Sequence, residues 1–253
     1  MSSVNQSKTS CSISVIIPVL QGDDSWQALL ADLGAFPEST EFLFISNGPA
    51  PPDLQDQFSL YGINSRSHWH CTSRGRAIQM NHGAEHAQAN YLLFLHADSR
   101  ISDAAVQQLF HCLELYPEAL LYFNLKFRDQ SFLLMHLNSW GVYFRSHVLG
   151  MPFGDQGLCL PRTLFQKLNG FDEEATYGED HLLVWAARRH GIRLRCTGAD
   201  IETSARKYRE QGWLKVTVRH LWLTARQAIP QFLLLIKDRI LKCCQSKAPS
   251  PSS

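Results

Sequence analysis

No C-x-x-C pair and no zinc-ligand spacing occurs in the sequence, although it holds seven cysteines, at Cys11, Cys71, Cys112, Cys159, Cys196, Cys243 and Cys244. That scatter argues against a structural zinc site and reads as the reduced thiols of a cytoplasmic protein. No basic segment followed by an apolar run and a small-residue cleavage site opens the chain, so export by a signal peptide is not expected. The apolar stretches are too short or too charged for a membrane span. Net charge is nearly absent, 24 Lys and Arg against 23 Asp and Glu, so bulk charge indicates no nucleic-acid partner. Linker composition and repeats of solenoid or propeller period are missing too. With 253 residues, 45% of them hydrophobic, the chain can bury one large α/β core. The expectation is one domain over residues 11–242, with polar tails at 1–10 and 243–253.

What is present is an alternation of strands and helices. Ile13 to Leu20 (ISVIIPVL) is a β-branched run suited to a strand covered on both faces. Gln21 to Asp24 form a loop, and Trp26, Leu29, Leu30 and Leu33 then line one helical face. Glu41 to Ser46 (EFLFIS) is a second strand, closed by the turn residues Asn47-Gly48-Pro49. A helix is predicted near Asp53 to Tyr61, and Ser73 to Ala89 reads as a loop entering another, with Ala77, Met80, Ala84 and Ala87 at helical spacing. Tyr91 to Leu95 is a further strand, ending abruptly at His96-Ala97-Asp98-Ser99. This order predicts an open, mostly parallel, Rossmann-like sheet flanked by helices, with ligands beyond the carboxyl ends of its strands.

The loops starting at Gln21, Ser46 and His96 therefore point to one crevice. Asp98, at the end of a buried strand, is either the cap of a helix starting near Ser102 or a ligand for a divalent cation facing a diphosphate. Glu179 and Asp180 precede the helical segment HLLVWAARRHG. Acids in a first turn complement the helix dipole, and a carboxylate there can also serve as a general base. Gly154-Asp155-Gln156-Gly157 is either a plain turn or a loop allowing close backbone approach to a substrate.

ISVIIPVL, FLFISNG, LLFLHADSR, GDQGLCLPRTLFQKLNGFDE and YGED, in that order, resemble family 2 glycosyltransferases, closest to the bacterial arsenosugar-biosynthesis-like subgroup. The resemblance implies a GT-A (nucleotide-diphospho-sugar transferase) fold and transfer of a sugar from a nucleotide donor to an acceptor hydroxyl with inversion. It places His96-Ala97-Asp98 at the family's DxD motif, with Asp98 as the main ligand of Mg²⁺ or Mn²⁺ and His96 as a second ligand or a loop-closing residue. Nucleotide contacts fall on Pro18, on Asp23 or Asp24, and on Asn47, which stands where an aspartate pair is usual. Arg74 and Arg76 match the loop approaching the donor phosphates, where guanidinium suits diphosphate. Gly154, Asp155 and Gln156 would line the cavity between donor sugar and acceptor. Asp180 would be the general base, with Glu179 as neighbour or alternate. Arg206 would reach the diphosphate, and Tyr208, in place of a more usual Trp, the acceptor.

The C-terminal segment, about 210–242, interleaves Trp213, Leu214, Val218, Leu221 and Trp222 with Lys215, Arg219 and Arg226. Such an amphipathic helix either packs on the sheet, lies on the inner membrane face as a peripheral contact, or forms a homodimer face. Two rival functions remain. A sugar-phosphate nucleotidyltransferase needs a glycine-rich basic phosphate loop after the first strand, where Gln21-Gly22-Asp23-Asp24 is acidic. A catalytically degenerate binding module of the same fold is favoured by the incomplete metal motif.

Overall fold

The computed structural model describes residues 11–128, 133–204, 210 and 212–245. Eight strands form one sheet: β1 (Ile13–Val19), β2 (Glu41–Ser46), β3 (Ser67–Cys71), β4 (Tyr91–Phe94), β5 (Arg100–Ile101), β6 (Leu120–Phe127), β7 (Leu158–Pro161) and β8 (Leu194–Thr203). Their spatial order is β3-β2-β1-β4-β7-β6-β8-β5. The pairs among β1, β2, β3 and β4 are parallel, as is β6 with β8. β7 runs antiparallel between β4 and β6, and β5 antiparallel on β8.

Alternation along β1 explains why both of its faces are covered. Ile13, Val15, Ile17 and Val19 join one buried cluster with Trp26, Leu29, Leu30 and Leu33 of α1 (Ser25–Leu33). α2 (Leu54–Leu60) and α4 (Asp103–Leu115) complete that side through Phe58 and Leu109. Ile16 joins the opposite cluster, with Met80 of α3 (Arg76–His86), Phe165 of α6 (Arg162–Lys167) and Val184 of α7 (Glu179–Arg189). Between β6 and β7 lie α5 (Leu133–Tyr143), a π-helical turn (Phe144–Val148) and a 3₁₀ turn (Gly154–Gln156).

α8 (Trp213–Gln245) contains Pro230 and continues through Cys243 and Cys244, past the helical boundary expected near 242. It packs Ala228 and Leu235 against Met151 and Trp185. Leu214, Leu221, Trp222, Ile229 and Leu233 remain exposed. Among the described residues no helix is long and apolar enough to cross a membrane, and Cys11, Cys71, Cys112, Cys159 and Cys196 are free thiols.

Candidate active site

Parallel pairing of β1, β2 and β4 brings their carboxyl ends to one edge. There a cavity of ≈ 400 Å³ is lined by Pro18, Leu20, Asp23, Ser25, Arg74, Gly75, Arg76, Gln79, His96, Ala97 and Asp98. Pro18, Asp23, Arg74, Arg76, His96 and Asp98, widely separated in sequence, thus meet around one space. Asn47 does not line it; its Oδ1 accepts the Gln21 amide at 2.9 Å and fixes the loop after β1. Arg206 and Tyr208 lie outside the described residues.

The helix cap expected near Ser102 is not Asp98. The N-cap of α4 is Ser102, whose Oγ accepts the Ala105 amide at 3.3 Å. Ser102 takes that duty: among the described residues the Asp98 carboxylate accepts a long contact from Thr203 Oγ1 at 3.4 Å, and its carbonyl takes Arg128 at 2.9 Å. Asp23 has a double position, lining the cavity while its Oδ1 accepts the Ser25 amide at 3.0 Å at the start of α1.

Arg76 opens α3, and Gln79 holds that helix in place. The buried Gln79 amide donates to the carbonyls of Val19 and Ile45, both at 2.8 Å, tying α3 to the ends of β1 and β2. Arg76 Nε then forms an ion pair with Glu179, and its NH1 lies 3.4 Å from His96 Nε2. Burial by itself would lower the Arg76 pKa, but Asp180, Glu179 and Asp155 together raise it. His96 responds oppositely: burial and the Arg76 charge push it down to about 4, against the pull of Asp98 and Asp180. It is therefore a neutral imidazole with a lone pair available.

Asp180 is buried behind this pair and is not among the residues lining that cavity. Its Oδ2 accepts the Gly154 amide and its Oδ1 the His181 amide, the latter at 2.8 Å. Burial would raise its pKa, yet Arg76, the Gly154 amide, His96 and the His181 amide outweigh that and hold it below the usual carboxylate range. A carboxylate has about four lone-pair sites, so Asp180 keeps acceptor capacity beyond these two bonds. Gly154 has no substitute here: a Cβ would stand 2.8 Å from Asp180 Oδ2 and 3.1 Å from His96 Nε2.

Asp155 and Gln156 divide. Gln156 is buried with its amide engaged inside the protein, accepting from Ser146 Oγ at 2.8 Å and Arg145 NH2 at 3.0 Å and donating to the Phe123 carbonyl at 3.0 Å. Asp155 Oδ1 is buried with no hydrogen-bond partner among the described residues. Burial raises the Asp155 pKa, with Arg145 and Arg76 opposing and Asp180 and Asp98 reinforcing. A raised folded pKa means stability present below the unfolded value of 3.8 and lost as pH rises through the folded one. Asp155→Asn is expected to be more stable than wild type at pH 7.5, the gap closing toward pH 4. Urea midpoints at several pH values check this.

Besides Gln79, three contributors escaped the sequence reading. Arg145, on the π-helical turn, lies 3.3 Å from the centre of the Phe153 ring. Gln227 on α8 donates to the carbonyls of Tyr177 and Gly178 at 3.1 and 3.2 Å, and its Oε1 meets His181 Nδ1 at 2.7 Å. Trp185 Nε1 donates to His181 Nε2 at 2.8 Å, so the imidazole carries its proton on Nδ1. Gly178, the N-cap of α7, is left-handed at φ 67°, and a Cβ there would overlap Gln227 Oε1. Gly178→Ala is therefore expected to cost about 2 kcal/mol or more and lower Tm by roughly 4–8 °C, measured by thermal unfolding.

The residues fit a divalent cation: the Asp98 carboxylate and the neutral His96 imidazole face the cavity, and diphosphate oxygens would complete the shell. A second cavity, also ≈ 400 Å³, shares Gly75 and Arg76 and is otherwise lined by residues including Glu173, Thr176, Tyr177 and Glu179. Arg76 thus stands between two spaces, with Glu179 on the second and Asp180 behind them.

No curated protein sequence matches this chain significantly. Among solved structures, the mannosyltransferase PcManGT from Pyrobaculum calidifontis, in complex with GDP-Man and Mn²⁺, is similar with a TM-score of 0.65 at 16% identity, over 90% of this chain and 68% of that one. S. aureus TarS gives a TM-score of 0.59 at 18% identity, over 78% of this chain and 37% of that one. TarS 1–349 in complex with UDP-GlcNAc gives 0.57 at 18% identity, over 76% and 58%. The chain thus spans well under half of TarS and a little over half of TarS 1–349. These likenesses give the sheet its fold type, GT-A, and the family described as Glycosyl transferase family 2 matches residues 14–166, which include β1, Arg76 and Asp98. With more than half of its length inside that match and the carboxyl ends of β1 and β4 gathered at one cavity, the chain belongs to glycosyl transferase family 2.

Proposed function

We propose that this chain transfers a sugar from a nucleoside-diphosphate donor to an acceptor hydroxyl, with inversion at the anomeric carbon. The observation that carries the reading is the cavity in which Asp23, Arg74, Arg76, His96 and Asp98 converge beside the Glu179-Asp180 pair. The nucleotide sugars and Mn²⁺ bound by the structural neighbours support it. Mg²⁺ or Mn²⁺, when bound by Asp98 and His96, would neutralise charge developing on the leaving diphosphate. Asp23 and Pro18 hold the nucleoside end of the donor, and Arg76 and Arg74 orient its phosphates. Asp180, ionised by its surroundings, takes the acceptor proton, with the acceptor entering through the second cavity. The GDQG and ED motifs are consistent with the arsenosugar-biosynthesis-like subgroup. A single domain over residues 11–242, acting at the cytoplasmic side, completes the reading.

The exposed stripe of α8, with Arg226 over the Trp222 ring at 5.2 Å, favours peripheral attachment to an anionic membrane surface. Flotation with anionic vesicles, compared with neutral ones, tests that contact; a homodimer burying the same stripe would instead appear as doubled mass in light scattering.

The catalytic proposal is tested by nucleoside-diphosphate release from UDP-, GDP-, dTDP- and CDP-sugars with Mn²⁺. Turnover of one donor class is expected. Tight binding of one nucleotide with no release from any sugar, even with hydroxylated acceptors present, would select the degenerate binding module.

A further inference from the structure

Three histidines meet on the opposite half of α3 from the donor cavity. His82 and His86 are one helical turn apart, and His70 faces them from β3, the edge strand of the sheet. Each offers a ring nitrogen, and these three atoms lie within 4.8 Å of one another. The ring centres are 5.9 Å apart for His70 and His82, 4.7 Å for His70 and His86, and 4.3 Å for His82 and His86. We infer that His70, His82 and His86 form a binding site for a divalent transition metal of the zinc class, separate from the cation bound with the donor diphosphate.

Zinc takes imidazole nitrogen at about 2.0–2.1 Å, which sets ligand nitrogens roughly 3.3 Å apart in a tetrahedral site. Side-chain rotation alone closes the remaining distance, because all three residues sit on regular backbone and His86 is exposed. The rings are also partly oriented. His86 Nδ1 faces the His82 carbonyl at 2.9 Å, so it carries the proton there and leaves Nε2 as the ligand atom. None of the three lines the donor cavity. By helical rise, His82 and His86 stand roughly 9 and 15 Å from Arg76 along the α3 axis.

The donor set decides the metal class. Three imidazoles without a carboxylate suit Zn²⁺, Co²⁺, Ni²⁺ or Cu²⁺ and disfavour Mg²⁺ and Ca²⁺, which prefer oxygen. Exposed His86 leaves a fourth position for water. An ion held there joins α3, which carries Arg76 and Gln79, to an edge strand otherwise paired only with β2.

The experiment uses the untagged full chain, stripped with chelator and titrated with Co²⁺, whose visible absorption reports ligand number and type, and then with Zn²⁺. Expected are one equivalent of Co²⁺ giving a four- or five-coordinate spectrum, its displacement by Zn²⁺, and a Tm rise of roughly 5–10 °C at a hundredfold excess over Kd. His86→Gln, at an exposed position, and His82→Gln should each weaken binding by more than the 10–100-fold typical of losing an outer-shell partner. Circular dichroism verifies their folds. Asp98→Ala should retain the equivalent in full. No saturable Co²⁺ binding below millimolar concentration, or binding unchanged in folded His86→Gln and His82→Gln, would overturn the assignment. Binding lost in Asp98→Ala instead would place the ion in the donor cavity and overturn it too.

Discussion

Asp180→Asn is expected to lower kcat by about 10²–10⁴-fold, the range for loss of a general base, with KM for the donor little changed. The amide keeps the shape of the carboxylate, but its single oxygen can accept only one of the Gly154 and His181 amides, so a modest loss of stability should accompany the loss of turnover. What disappears is basicity toward an acceptor hydroxyl. The pH profile gives an independent reading. Because the folded Asp180 pKa is depressed, the base stays ionised well below neutrality, and its acid limb should fall below the ordinary carboxylate value of 3.8. The same sign applies to stability: the contribution of Asp180 is present above the unfolded pKa and is lost as pH falls through the folded one. Glu179→Gln separates the two acids. It releases Arg76 from its ion pair, so donor KM should rise while kcat falls less. A kcat loss larger in Glu179→Gln than in Asp180→Asn would transfer the base role to Glu179.

Asp98→Ala is expected to lower kcat/KM for the donor by roughly 10³-fold, about 4 kcal/mol, comparable to losing a main electrostatic stabiliser of the transition state. The residual rate should no longer respond to Mn²⁺. Stability should hardly move, because among the described residues the Asp98 carboxylate makes a single long contact, to Thr203, and the cap of α4 is Ser102. Ser102→Ala is the converse: it should cost about 1 kcal/mol of stability as a lost N-cap and leave turnover intact. A marked Tm loss in Asp98→Ala with preserved turnover would restore the capping role and remove the cation from the mechanism.

β1, β2 and β4 were legible in the sequence because strands buried on both faces read as unbroken apolar runs, and Ile13 to Leu20 is such a run. β3 was not. Its sequence SHWHC has an exposed His68 and a half-buried His70 where an apolar alternation would be expected, and pairing with β2 rather than composition makes it a strand. β8 was hidden for a similar reason: Gly198 sits at φ 83°, and the pairing with β6 shifts register between Tyr122 and Asn124.

At the site, residue type and loop position left Asp98 between cap and ligand and Asp180 between dipole partner and base, and it was the family resemblance that nominated them together with Arg76. Which residue caps α4 needed the observed Ser102 bond, since Asp98 and Ser102 are both polar residues ahead of one helix. Gln79, Arg145 and Gln227 left no usable signal. Each acts on groups far away in sequence, Gln227 on carbonyls about fifty residues before it, and a mid-helix glutamine looks the same on a solvated face as at a buried joint. Gln156 shows the reverse error of reach. Its motif suggested a cavity wall, while the structure engages its amide with Arg145, Ser146, Phe153 and Phe123.

The most direct test of the central claim is thermal unfolding of the wild-type chain with UDP, GDP, dTDP or CDP, each with and without Mn²⁺. At a hundredfold excess over Kd a ligand contributes about 2.7 kcal/mol, which for a chain of this size raises Tm by roughly 5–10 °C. One nucleotide is predicted to give that rise, and only when Mn²⁺ is present. No rise with any of the four, with or without the ion, would contradict a nucleoside-diphosphate site between Asp23, Arg76 and Asp98.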